Sequence, residues 1–382
     1  MLAVLVTCHW VGNGDQTLVD FLAIIFVYAS PHAGNEGESV TMRVASRKWL
    51  AISGGGVCLL VVASLLSSCQ SESSTSTTAP VSVSGRFYYT YNDHIFRISA
   101  QAGAVAEDLS QALDARYGAS AAPDRRINAS VNGEWMVFEG NRFGCNGCLV
   151  RVNKDLSGEP VKPGGNEIFL EGLAAISAAG DVVVYAASGG TGRNTYDLYK
   201  STRSASGWGS PVLLTAGSAD AYNNMPSLSF DGTRVSFDCG EHRDPESGNN
   251  AVCQVGIDGT GFAKLVTYQT VAEGGNTYVQ NPRIGIDGVI FEAVWPIANH
   301  GKPEVVWLLP NGSNTPTPIG QHLESAVAPC PLRDGRFGVL WLAGPGNAAG
   351  RHEMAIVNRD GTNPVSLTPG VDVVDAGIGC SD

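Results

Sequence analysis

Three histidines, His242, His300 and His352, and four arginines, Arg126, Arg142, Arg193 and Arg243, fall in polar connections between apolar runs. Neutral imidazole is the commonest side-chain ligand for a transition metal, so three of them meeting in space would make a metal site. Guanidinium groups present forked donors, and a cluster of them would take an acidic peptide or a sugar acid. The plainer alternatives are solvated loop imidazoles and rim arginines. There is no G-x-S-x-G, H-E-x-x-H, P-loop or strand-linked G-x-G-x-x-G run, and His352-Glu353 lacks the second histidine of a zinc peptidase helix. No catalytic residue is assigned and no cofactor is expected, the alternative being a divalent metal on those three histidines.

Six of the nine cysteines, at 145, 148, 239, 253, 330 and 380, follow the N-terminal region. An even set in an exported chain reads as disulfides, with fifteen possible connectivities. Local pairing joins Cys239, at the end of one strand, to Cys253 in the strand beside it. It joins Cys330 to Cys380 in the innermost strands of neighbouring units, and closes Cys145 on Cys148 within one loop. Cys145-Asn-Gly-Cys148 is also the spacing of a redox pair or half a zinc site, but zinc would need two more ligands nearby.

The elements that position these groups come from a repeat. Asn224-Met-Pro-Ser-Leu-Ser-Phe-Asp-Gly-Thr-Arg-Val-Ser-Phe237 reads as two strands joined at Asp231-Gly232, a dipeptide suited to a two-residue hairpin. Aligned on the turn glycine, copies recur at Gly133, Gly180, Gly288 and Gly335, roughly fifty residues apart. Pro226, Pro282 and Pro329 precede their aspartates at one fixed distance. Further apolar runs follow, such as Ala251–Ile257 and Glu304–Leu309, with turns at Asp258-Gly259, Asn311-Gly312 and Asp360-Gly361. Four strands per unit at this period predict an all-β propeller with four-stranded antiparallel blades.

The two ends make up one more unit. Gly85-Arg-Phe-Tyr-Tyr-Thr-Tyr91 matches a turn glycine with its second strand, and the chain stops at Asp382, where a leading strand reaches its turn. The expectation is six blades, closed by pairing about 372–382 with about 85–99, which leaves no open sheet edge. In such a ring the second-to-third-strand loops and the blade-to-blade connections share one face. His242, His300 and His352, together with His94, His322 and the four arginines, map to that face. Between the first and second blades, Val105–Tyr117 carries Leu109, Ala112 and Leu113 at helical spacing and predicts a short capping helix.

Net charge is −12, which argues against a nucleic-acid partner, and 47 glycines suit a turn-rich β protein. Met42-Arg-Val-Ala-Ser-Arg-Lys48 is a basic leader, Trp49–Leu66 an apolar stretch, and Leu66-Ser-Ser-Cys69 resembles the lipobox of bacterial lipoproteins. That resemblance implies cleavage before Cys69 and lipidation of its thiol. The chain is read as 1–41 a mis-assigned N-terminal extension, 42–68 a lipoprotein signal peptide, 69–84 a flexible Ser/Thr-rich tether and 85–382 the propeller.

Pro-x-x-x-x-Asp-Gly followed by an apolar strand resembles the repeat of TolB-type six-bladed propellers over about 85–382. That resemblance implies a scaffold of the cell envelope, binding a protein, peptide or envelope component across one face without catalysis. With the lipobox-like run at Cys69, the expectation is a monomer that is exported and lipid-anchored to the cell membrane or outer membrane. A metal-dependent carbohydrate-active branch of the same fold, lyase-like and using channel-mouth histidines, supplies the alternative; its clustered histidine motif is not reproduced.

Overall fold

In the computed structural model the chain divides into two units, Met1–Thr77 and Thr78–Asp382. The structure describes residues 2–10, 19–28, 43–44, 85–168, 172–188, 196–241, 250–271, 278–294, 305–319, 323, 326–341, 352–373 and 377–382. In the first unit Leu2–Trp10 pairs antiparallel with Val19–Tyr28, whose end also pairs with Arg43–Val44. Cys69 and the tether 69–84 lie outside the described residues.

The described part of the second unit is all-β apart from short helical turns. It holds four antiparallel sheets of four strands and one of nine. The first sheet runs Gly379–Ser381, Arg86–Tyr91, His94–Ser99, Glu107–Asp108, so the last strand of the chain lies beside the first of this unit, with Cys380 opposite Phe87. The second runs Arg125–Ala129, Trp135–Gly140, Cys148–Asn153, Gly158–Pro160. The nine-stranded sheet contains two meanders, led by Ala175–Ile176 and by Tyr222–Leu228, joined through one parallel pair, Tyr196 with Tyr222. The remaining sheets are led by Tyr278–Ile284 and Ala326–Pro331.

Four of the leading strands carry the same irregularity. Arg126, Met225, Asn281 and Ala328 have φ of 56°, 53°, 52° and 52°, and the strand register shifts at each. This is a β-bulge, which inserts an extra residue and re-aims the side chains after it. In three of the four the next residue is Pro226, Pro282 or Pro329. Proline has no N–H to give the ladder, so it fits where the ladder is already interrupted. The conserved spacing from proline to turn in the repeat is therefore the spacing from bulge to turn.

The expected two-residue turn at Asp231-Gly232 is corrected by the structure. The strands end at Leu228 and resume at Arg234, and only Gly232 has positive φ, at 71°. Asp231 Oδ1 accepts from Ser229 Oγ at 2.5 Å, Thr233 N at 3.0 Å and Thr233 Oγ1 at 2.8 Å. These bonds suit a longer turn ended by a left-handed glycine. The mirror-image two-residue turn occurs instead at Asn92-Asp93, with φ of 47° and 65°. The short helix is Leu109–Tyr117, starting later than Val105 because Asp108 caps it by accepting from Gln111 N at 2.8 Å; Leu109 and Leu113 are buried.

Apolar side chains pack between sheets. Phe87, Tyr89 and Ile98 of the first sheet share a core with Leu340, Met354 and Ile356 of the last, and Tyr88 and Ile95 share another with Met136, Phe138 and Val150. Each fully buried side chain of this size contributes about 1.5–3 kcal/mol. Three disulfides cross-link the unit: Cys145–Cys148, Cys239–Cys253 and Cys330–Cys380. Among the described residues no helix is long and apolar enough to cross a membrane.

Candidate functional site

The bulges decide what faces the space between the leading strands. A cavity of about 340 Å³ is lined there by Asn128, Ser227, Arg283 and Cys330, each two residues past a bulge. Ala175–Ala179, Ser229–Gly232 and Cys380–Asp382 add to the wall, so each described meander contributes through its leading strand or the turn that follows it. The lining runs to the turns at Ala178-Ala179, Asp231-Gly232 and Asp382, which places the mouth at the first-to-second-strand turns. In an antiparallel meander that is the end opposite the second-to-third-strand loops.

Arg283 is the one basic residue of this lining. Its exposure is 5%, and among the described residues its side chain makes a single hydrogen bond, from Nη2 to the Ile378 carbonyl at 3.2 Å. Burial lowers its pKa to about 10, opposed by the charges of Asp238 and Glu292. It therefore stays a cation at neutral pH. Neither acid stands within ion-pair distance of it.

Those two acids face the bulges instead. Glu292, fully buried, accepts from the backbone N–H of bulged Ala328, from Asn281 Nδ2 at 2.8 Å and from Gln280 Nε2. The backbone N–H of bulged Asn281 faces the Asp238 carboxyl and favours its charged form, while Asp238 Oδ1 is buried without a partner. Burial first, and the nearby Glu292 charge second, push the Asp238 carboxyl well above its ordinary range. Glu139 sits at the equivalent position, opposite Arg125, and pairs with bulged Arg126. Glu292 and Asp238 thus meet backbone donors that a bulge removes from the ladder, whereas Glu139 meets the Arg126 side chain.

The loop-face residues fare differently. Arg126 lies in a strand rather than a loop, half-buried, with Nη1 3.0 Å from Glu139 Oε2. Arg142 was expected at the rim, and the structure corrects this. It is buried, and its guanidinium donates to Asp124 at 2.9 Å and to Asp114 at 2.8 Å. Its charge is consumed by two carboxylates, which hold its pKa above the usual value against the opposing effect of burial. His352 is half-buried; its N–H donates to Asp372 Oδ1 at 2.9 Å, and its carbonyl accepts from Val373 N at 2.8 Å. His94 Nδ1 stands 2.7 Å from Asp108 Oδ2. Arg193, His242, Arg243, His300 and His322 lie outside the described residues. The one metal-like cluster among the described residues, Asp220 with Cys239 and Cys253, has both sulfurs in a disulfide and so offers no thiolate.

Sequence reasoning placed candidate residues on the loop face and missed Arg283. One signal was present: at the position five before the turn glycine the copies carry Asn128, Ala175, Ser227, Arg283 and Cys330, and a charge there is out of pattern.

No protein-family model matches the sequence, and no curated protein matches it. Among solved structures the chain is similar to TolB from Acinetobacter baumannii, with 11% identity and a TM-score of 0.56 over 80% of this chain and 69% of that one. It is also similar to hydrazine synthase of Kuenenia stuttgartiensis, with 12% identity and a TM-score of 0.50 over 77% of this chain and 45% of that one. At these identities the likeness speaks for architecture alone, and the architecture is that of a TolB-like β-propeller.

Proposed function

We propose that this protein is an exported, lipid-anchored propeller of the cell envelope that binds a protein, peptide or envelope component and carries out no chemical step. Six four-stranded sectors close into a ring by seating Gly379–Ser381 in the first sheet. The ring is held to the membrane by lipid on Cys69 and acts as a monomer. The contact face is the one built by second-to-third-strand loops and sheet-to-sheet connections, with Arg126, Arg193, His242, Arg243, His300 and His352 as contact residues.

The observation that carries this reading is the fastening of that face where it is described. Buried Arg142 ties the loop after Trp135–Gly140 to Asp114 of the helix and to Asp124, just before the leading strand of the same sheet. The Cys145–Cys148 bridge clips the same loop. A loop held this firmly pays little ordering entropy on binding, which favours recognition by a preformed surface. Three disulfides support export, because such bonds persist in oxidising compartments.

Crosslinking of the full-length protein in its native envelope tests the reading. An Arg126→Ala, Arg193→Ala, Arg243→Ala variant should lose a specific crosslinked partner, and unchanged crosslinks would refute the assignment of the face. Cys69→Ala should release the protein from membranes. A stoichiometric transition metal that is lost on His242→Ala, His300→Ala or His352→Ala would replace this reading with a metal-dependent activity.

A further inference from the structure

Arg283 is a buried cation in the wall of a cavity that opens to solvent, and among the described residues no carboxylate stands within ion-pair distance of it. A guanidinium carries five N–H donors in a planar fork, and among the described residues this one makes a single bond. A buried charge left this way is costly unless something complementary meets it. Glu292 balances the charge at longer range, but its oxygens are taken by the bulge N–H of Ala328 and the side-chain amides of Asn281 and Gln280, and Asp238, whose carboxyl burial holds towards its protonated form, turns to the Asn281 N–H and leaves its Oδ1 without a partner. They do not fill the fork. Ser227, on the neighbouring leading strand, adds a hydroxyl to the same lining; its oxygen accepts from Ile284 N at 3.4 Å, which leaves its proton to donate. The volume, about 340 Å³, falls within the range of small-molecule sites.

The rim carries acid. Asp231 and Asp382 line the mouth, and Asp382 is paired there with Arg333 Nε at 3.0 Å. Hydrogen bonds from Ser229 and Thr233 hold Asp231 at a pKa of about 2, so it is ionised at any physiological pH. The ionised Asp231 at the entrance disfavours a polyanion, while the single cation deeper in accepts one negative charge. The ligand that satisfies both is a monoanion that is planar and forked, carried on a neutral or basic body. That describes a carboxylate.

We infer that the cavity at the first-to-second-strand turns is a carboxylate-binding site, with Arg283 as its anchor and Ser227 as a second donor. The carboxylate is the C-terminus of a peptide chain or that of a free small acid. The site lies at the end of the sheets opposite the proposed contact face, so it stands or falls separately from that reading.

Isothermal titration calorimetry of the full-length protein at neutral pH tests it, with three probes: N-acetyl-trialanine as the free acid, the same peptide as its C-terminal amide, and sodium acetate. The free acid should bind at least about tenfold more tightly than the amide, since charge-assisted hydrogen bonds are lost with the carboxylate. Arg283→Lys, which keeps the charge but loses the fork, should weaken binding about tenfold. Ala179→Trp changes an exposed turn residue at the mouth, leaves the buried charges untouched and should block the site. Acetate binding as tightly as the peptide acid would assign the site to a free small acid. Acid and amide binding alike, no carboxylate binding to the wild type, or full binding to Ala179→Trp would overturn the proposal.

Discussion

The three disulfides differ mainly in the length of chain they close, so they form a ladder within one molecule. Cys145–Cys148 spans 3 residues, Cys239–Cys253 spans 14 and Cys330–Cys380 spans 50. A cross-link removes loop-closure entropy from the unfolded chain, and the amount grows with the logarithm of the span. The expected contributions are roughly 1.5, 3 and 4 kcal/mol in that order. Replacing each pair by alanines, one pair at a time, keeps small apolar groups at these positions, of which all but Cys380 are buried. Equilibrium denaturation of the full-length protein in urea, without reductant, then reads the three losses. The Cys330→Ala, Cys380→Ala variant should lose about 1 kcal/mol more than Cys239→Ala, Cys253→Ala, which in turn should lose about 1–1.5 kcal/mol more than Cys145→Ala, Cys148→Ala. Since a domain is stable by only about 5–15 kcal/mol, the largest loss is a large share of the whole. The reasoning fails if the 50-residue link proves no more valuable than the 3-residue one. That would mean that the unfolded chain already holds its two ends together.

A methyl group at Gly338 would sit 2.4 Å from the Phe87 ring, across the contact between the first and last sheets. Gly338→Ala should therefore destabilise by about 1–3 kcal/mol, and a neutral result in urea denaturation would contradict that packing. The raised Asp238 carboxyl holds its proton more tightly folded than unfolded, so its contribution is present below about pH 3.9 and lost as pH rises through the folded value. Asp238→Asn should flatten that limb of a stability–pH curve, and an unchanged slope would refute the assignment. Asp231 is shifted the other way: its contribution is present above about pH 3.9 and fades as pH falls towards 2. Asp231→Ala should cost about 1 kcal/mol at neutral pH, with a smaller loss near pH 2, both read from denaturation midpoints. Arg142→Met leaves Asp124 buried without its partner and should cost about 3–5 kcal/mol, while an exposed arginine would cost less than about 1.

Local signals in the chain carried the architecture. The turn glycines, the aspartates before them and the prolines at fixed distance act through neighbouring backbone, so their period was legible without coordinates. Even there the hairpin type was misread, because Asp231 takes three side-chain-mediated bonds that a dipeptide rule does not count. Residue roles were less legible. Arg142 looks like any loop arginine until Asp114 and Asp124, far upstream, converge on it. Arg283 was hidden for a related reason. A strand read with a period of two assigns each side chain to a face, and the bulge at Asn281 breaks that count. Periodicity thus settled which segments are strands, since that depends on composition over a few residues. Only the tertiary structure settled which charges are spent inside and which one faces an open cavity, because burial and pairing depend on groups that the chain holds dozens of residues apart.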